Sequence, residues 1–117
     1  MVTRRHAVGA HYGLMDWLIQ RLTAVVMAVY TLLVLAIALW NGGIDYPLWT
    51  ELFASGPFKL ASFLFMVALL YHAWIGVRDI LMDYVKPAGV RLLFETLAVV
   101  VLFAYLGWTL QLLWGAR

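Results

Sequence analysis

One histidine, His72, lies inside a long apolar run of this chain. Between Leu60 and Val77 the only other ionisable side chain is that of Tyr71. A titratable or metal-binding side chain within an apolar run of membrane-spanning length is costly, so it marks a candidate functional site. The run is followed by a polar cluster that contains Arg78, Asp79, Asp83, Tyr84, Lys86 and Pro87. We therefore expect the chemistry of the chain in the segment 72–87.

Two interpretations of His72 follow from its surroundings in the sequence. Imidazole is a common axial ligand of haem iron. At about 100° per helical residue, Ala61, Ala68 and Gly76 fall within about 40° of His72, and such small residues would leave room for a flat cofactor or for another helix. In the second interpretation, His72 is only hydrogen-bonded to a neighbouring helix. The other histidines precede residue 12, so a second axial ligand would come from another subunit.

Arg21, Asp83 and Tyr84 are candidate ligand-binding residues. A carboxylate-bearing cofactor at His72 would direct its acids toward Arg21, which binds carboxylates in fork geometry; alternatively, Arg21 only snorkels to lipid head groups. The Tyr84 hydroxyl can donate a hydrogen bond to a carbonyl group, and the Asp83 carboxylate can orient it. The alternative for this pair is an ordinary interfacial helix end at which Lys86 meets anionic lipid.

The composition excludes most soluble classes of protein. Of 117 residues, 66% are hydrophobic and 12% are charged, whereas soluble domains are about half apolar and about a quarter charged. Lipid must therefore be the main solvent. The chain has no cysteine, which excludes disulfides, thiolate zinc sites and iron–sulfur ligation by this chain alone. Its net charge of +2 is spread along the sequence, so nucleic-acid binding is not expected.

The sequence predicts an all-α membrane protein with three transmembrane helices. The segments 22–40, 60–77 and 96–114 contain no Asp, Glu, Lys or Arg, and roughly 20 helical residues cross a hydrocarbon core. We expect one anchor domain over residues 1–117, with spans at about 17–40, 58–82 and 91–114. Pro47 should begin a short helix on the membrane surface, and Pro87 should interrupt any helix between the second and third spans.

The positive charges predict an orientation. The N-terminal tail and the second loop together contain Arg4, Arg5, Arg21, Arg78, Lys86 and Arg91, whereas the opposite side contains Lys59 and Arg117. This bias places the N-terminus in the cytoplasm and the C-terminus on the outer, periplasmic side. A reporter fused after Arg117 that works only in the cytoplasm would contradict this orientation.

Two short motifs resemble a known family. The segments HAWIG at 72–76 and DYVKP at 83–87, followed by Arg91-Leu92, resemble the D-type hydrophobic anchor of succinate dehydrogenase, or respiratory complex II. Further similar positions in the first helix are Gly13, Asp16, Arg21, Thr23 and Ala24. The resemblance covers nearly the whole chain. One departure is Met15, because some relatives carry a histidine at that position.

The resemblance implies specific roles for four residues. His72 would be one axial ligand of a haem b iron, and a second, cytochrome b-type anchor subunit would supply the other. Arg21 would help to hold the haem propionates. Tyr84 would contact ubiquinone, with Asp83 close by. FAD and iron–sulfur clusters would lie only in the flavoprotein and iron–sulfur partner subunits.

We therefore expect a non-catalytic anchor subunit of succinate:ubiquinone oxidoreductase in a bacterial cytoplasmic (inner) membrane. One alternative is the anchor of a related quinol:fumarate reductase. Another is a small non-haem helical membrane transporter or assembly protein, although transporters usually show broken helices or internal repeats. A membrane-embedded hydrolase would need a nucleophile and a base at the same depth, and His72 has no such partner in the sequence of its span.

Overall fold

The computed structural model describes residues 6–115, with side chains described from Gly13 onward. Its helices are α1 (His6–Trp40), α2 (Tyr46–Ala54), α3 (Gly56–Tyr84) and α4 (Ala88–Leu110), and a π-helical turn (Gln111–Gly115) continues α4. Three stretches are long and apolar enough to cross a membrane: Gly13–Trp40, Gly56–Tyr84 and Ala88–Gly115. The predicted all-α architecture with three membrane-length helices is confirmed. Helix α1 begins earlier than the predicted span, and no proline interrupts the residues after His6.

Two glycines end α1. The N–H of Gly42 donates to the carbonyl of Leu39 at 3.4 Å, and the N–H of Gly43 donates to that of Ala38 at 2.7 Å. Both glycines have positive φ, 70° and 119°, a conformation that side chains disfavour. This pattern is a Schellman motif, which satisfies the last carbonyls of the helix. The chain therefore turns sharply after the first span.

A short helix, α2, joins the first two spans. The Asp45 side chain accepts a hydrogen bond from the Leu48 N–H at 3.0 Å, and Pro47 occupies the first turn. Both features favour helix initiation, so the predicted short helix at Pro47 is confirmed. Ser55 then ends α2 and caps α3, where its hydroxyl accepts from the Phe58 N–H at 3.5 Å.

Helix α3 lies at the centre of the fold and packs against α1, α2 and α4. Its buried residues are Ser62, Ala68 and Ile75, and Thr109 is the buried residue of α4. Ser62, Ala68 and Thr109 have small side chains, which let the helix backbones approach closely, as in other membrane bundles. Large apolar side chains such as Leu39 and Trp40 stay exposed. Lipid or other subunits must therefore cover most of this surface.

Helices α1 and α3 run antiparallel and share three polar contacts. These join Asp16 to Arg78, Thr23 to His72, and Tyr30 to Ser62. The α1 residues are spaced seven apart, so they lie along one face of the helix. The Tyr30 ring also stacks on Phe65, with 4.6 Å between the ring centroids. This register fixes the rotation of α1 and directs Thr23 toward His72.

Candidate functional site

His72 is half-buried on α3 and contacts a threonine of α1. The distance between His72 Nδ1 and Thr23 Oγ1 is 3.0 Å. The same Thr23 oxygen lies 2.8 Å from the Ile19 carbonyl oxygen and 3.2 Å from that of Gln20. The structure therefore contains the hydrogen bond to a neighbouring helix that the second interpretation of His72 requires. This hydrogen bond does not exclude the other interpretation, because it uses only one ring nitrogen.

The hydrogen-bond geometry favours one tautomer of His72. A threonine hydroxyl has one proton to donate, and threonines in helices commonly donate it to the carbonyl four residues earlier. In Thr23 this acceptor is Ile19, at the shortest of the three distances. The Thr23 oxygen then accepts from the His72 Nδ1–H. The neutral ring consequently carries its free lone pair on Nε2, which is the form that binds a metal.

Open space lies close to His72 on α3. A methyl group added at Gly76 would meet no atom within 4 Å. Ala68, one turn in the other direction, is buried at 6% exposure. The predicted small-residue face is thus divided between helix packing at Ala68 and an open surface at Gly76. An imidazole nitrogen beside open space fits the binding of a haem iron, for which another subunit would supply a further ligand.

Further along α3, an ion pair links α1 to α3. Arg78 Nη2 binds Asp16 Oδ2 and lies 3.8 Å from Asp79 Oδ1. Arg21 is only five residues from Asp16 in the sequence, but the packing of α1 against α3 brings Arg78 to Asp16 instead. Arg78 Nε and Gln20 Oε1 are buried without a hydrogen-bond partner. Such atoms are rare in complete structures, so this end of the α1–α3 interface suits a further contact from a partner or ligand.

Loss of the ion pair should loosen the α1–α3 interface. We expect Asp16→Asn to lower the free energy of unfolding by about 1–2 kcal/mol, because a hydrogen bond to a charged group contributes about 1.5–3 kcal/mol and solvent exposure of these side chains reduces that contribution. Thermal unfolding of the detergent-solubilised complex measures this effect. Asp45→Asn is the matched control for Asp16→Asn, because Asp45 caps α2 far from Arg78. Equal melting temperatures for wild type and Asp16→Asn would show that the ion pair contributes nothing.

Arg21 lies on another face of α1 from Thr23. Two residues along a helix correspond to about 160° of separation around the axis. The Arg21 guanidinium carbon lies 5.3 Å from the centroid of the Trp17 ring, in a cation–π contact. The structure therefore brings Thr23, but not Arg21, to His72 within this chain.

Asp83 and Tyr84 lie in the last turn of α3. Tyr84 is 79% exposed, and Asp83 is exposed as well. Val85 ends the helix, its N–H donating to the Leu81 carbonyl at 3.0 Å. The pair thus lies at the end of a span, where a ligand or another subunit has free access to both side chains.

Two cavities in the described part of the bundle were not predicted from the sequence. One lies between α3 and α4 and is lined almost entirely by apolar atoms, from residues that include Tyr71, Trp74 and Phe103. The other lies nearer α2, where the hydroxyls of Tyr30 and Ser62 meet at 2.5 Å. His72 lines neither cavity.

Comparison with known proteins identifies relatives along nearly the whole chain. Residues 1–106 match the family described as succinate dehydrogenase/fumarate reductase transmembrane subunit. The succinate dehydrogenase hydrophobic membrane anchor subunit of Coxiella burnetii is 38% identical over 105 residues, which are 90% of this chain and 91% of that protein. The subunit of the same description from Rickettsia felis is 34% identical over 96 residues, covering 80% and 72% of the two chains. That from Rickettsia conorii is 28% identical over 102 residues, covering 86% and 79%.

These matches confirm the resemblance carried by the segments 72–76 and 83–87. The lengths agree as well, because most of each relative is covered. The chain belongs to the family of succinate dehydrogenase/fumarate reductase transmembrane subunits, among its hydrophobic membrane anchors.

Proposed function

We propose that this chain anchors a succinate:ubiquinone oxidoreductase to the membrane, supplies one axial ligand of a haem b, and forms part of the ubiquinone site. The observation that carries the proposal is the contact of Thr23 with His72 Nδ1 at 3.0 Å. It leaves Nε2 available on an open helix face, in a chain whose family membership is established.

His72 would hold the haem iron through Nε2, and the second anchor subunit would supply the opposite ligand. When bound, the haem supplies a reversible one-electron carrier. The part played by this chain is to orient the imidazole, through Thr23, and to keep the Gly76 surface open. Arg21 would reach a haem propionate only if the haem extends along the boundary between α1 and the partner anchor, because Arg21 does not face α3.

Tyr84 and Asp83 would form this chain's part of the ubiquinone site. The Tyr84 O–H would donate a hydrogen bond to a quinone carbonyl and hold it at the end of α3. Reduction of the quinone to quinol takes up electrons and protons in equal number. Electrons would come from the iron–sulfur subunit, and protons would come from the cytoplasm through Tyr84, Asp83 and water.

The orientation and partners follow from the same proposal. The N-terminus would lie in the cytoplasm, so that Tyr84 and the α3–α4 loop face the cytoplasmic side. The iron–sulfur and flavoprotein subunits would dock there, and the second anchor would cover the exposed apolar surface beside His72. The membrane would be a bacterial cytoplasmic membrane, as the bacterial relatives suggest.

Deletion of this chain tests the anchoring function. We expect succinate oxidation by an artificial dye to move from the membrane fraction to the soluble fraction, because the flavoprotein and iron–sulfur subunits lose their attachment. Expression of the wild-type chain should return the activity to the membrane. If the activity stays in the membrane without the chain, the proposal is wrong.

A related quinol:fumarate reductase is the second candidate, because the family description includes both enzymes. The ratio of succinate oxidation to fumarate reduction in the purified complex distinguishes them. A ratio that favours fumarate reduction with a quinol donor would select the second candidate.

A further inference from the structure

We propose that Thr23 is a positioning residue for His72, which fixes the tautomer and the ring plane of the imidazole and increases its electron donation to a bound iron. This inference rests on the proposed role of His72 as a haem ligand. It concerns a residue on a different helix from the ligand.

The Thr23 hydroxyl is itself held in place. Its oxygen lies within 2.8 Å and 3.2 Å of two carbonyl oxygens of α1, those of Ile19 and Gln20. A β-branched side chain has few χ1 rotamers in a helix, and a hydrogen bond to the preceding turn selects one of them. The remaining lone pair of the oxygen is therefore directed at His72 Nδ1 rather than free to rotate.

The backbone that carries Thr23 is fixed on both sides. Seven residues before it, Asp16 binds Arg78, and seven residues after it, Tyr30 contacts Ser62 and stacks on Phe65. These contacts prevent rotation of α1 away from α3. Since Thr23 lies between these contacts, its hydroxyl keeps a fixed position. The hydrogen bond to this hydroxyl then restricts rotation of the His72 ring.

An acceptor on Nδ1–H changes the properties of the ligand. It stabilises the tautomer with the lone pair on Nε2 and increases electron density on the ring, so that the imidazole becomes a stronger ligand. A stronger donor favours ferric over ferrous iron. A hydroxyl is a neutral acceptor, so we expect a moderate effect rather than that of a carboxylate.

The test compares Thr23→Val with Thr23→Ser in the complete complex. Valine keeps the shape of threonine but cannot accept the hydrogen bond. Loss of an outer-shell partner typically costs 10–100-fold in affinity, so we expect haem to dissociate about tenfold faster from Thr23→Val. At a fixed ambient potential the ferric:ferrous ratio should fall about tenfold, which is a rise of about 59 mV in midpoint potential for a one-electron couple. Thr23→Ser should stay close to wild type in both measurements.

Thr31→Val is the matched control. Thr31 is an exposed threonine of the same helix, eight residues further along, and its replacement should change neither haem dissociation nor the potential. If Thr23→Val does not assemble, Thr23→Ala takes its place with the same measurements. The electron paramagnetic resonance spectrum of the ferric haem gives an independent signature, because it responds to the orientation and donor strength of the axial imidazole.

The outcomes separate this inference from the proposed function. A Thr23→Val complex with lower thermal stability but wild-type potential and spectrum would overturn the positioning role of Thr23. The haem-ligand role of His72 would still stand in that case if a His72 variant lost its haem. Full retention of haem in a His72 variant would instead refute the haem-ligand role itself.

Discussion

His72→Ala is expected to remove haem b from the assembled complex. The mutation deletes the nitrogen that would bind iron, whereas loss of an outer-shell partner alone costs 10–100-fold in affinity. We therefore expect the haem affinity to fall by more than about 100-fold. The ratio of haem to flavin in the purified complex measures the effect. Because alanine is a good helix former, α3 should remain intact.

The neighbouring residue provides the control for His72. Tyr71→Phe removes the hydroxyl of the adjacent side chain, which lines the apolar cavity between α3 and α4. This substitution should leave the haem content unchanged. Added imidazole should restore part of the haem signal to His72→Ala, since it can occupy the vacated position. A wild-type ratio of haem to flavin in His72→Ala would show that His72 does not bind the iron.

Tyr84→Phe is expected to impair quinone reduction selectively. The substitution removes the O–H donor and retains the ring, and an exposed side chain of this kind contributes little to packing. A lost hydrogen bond of about 1.4 kcal/mol corresponds to a tenfold lower kcat/KM for ubiquinone. Succinate oxidation by an artificial dye should continue at the wild-type rate, because the dye takes electrons before they reach the quinone.

Tyr46→Phe is the matched control for Tyr84→Phe. Tyr46 is a similarly exposed tyrosine, but it lies at the start of α2, near the opposite end of α3. Its replacement should affect neither activity. If quinone reduction and dye reduction both survive Tyr84→Phe unchanged, Tyr84 is not a quinone contact.

The helices were predictable from the sequence because each depends on local chemistry. Long runs without charge predict the spans, and prolines 47 and 87 predict where the short helix begins and where the second and third long helices are separated. The structure confirms these features. The early start of α1 at His6 was missed, since a polar composition does not by itself prevent a helix.

The contacts between helices were less predictable, because they depend on register. Asp16 has Arg21 five residues away in sequence, yet it binds Arg78 on α3. The seven-residue spacing of Asp16, Thr23 and Tyr30 was present in the sequence and is the signal that could have identified this face. The spacing of residues on one helix does not identify the residues that they contact on another helix. The Thr23–His72 contact was therefore found only in the structure.

Under the proposed function, the candidate site would also be divided between subunits, which limits what one sequence predicts. His72 and the open surface at Gly76 lie on this chain, whereas the proposed second axial ligand would come from another subunit. Arg21 faces away from α3, so its role depends on how the partner anchor packs against α1. These features are fixed by an interface between chains rather than by the pattern of either sequence.

The most direct test is the dithionite-reduced minus oxidised spectrum of the complex, purified in mild detergent through a tag on this chain. We predict a b-type haem signal in a constant ratio to copurifying flavin, together with iron–sulfur absorbance. An intact preparation that contains flavin and iron–sulfur clusters but no haem would contradict the assignment of His72 as an iron ligand.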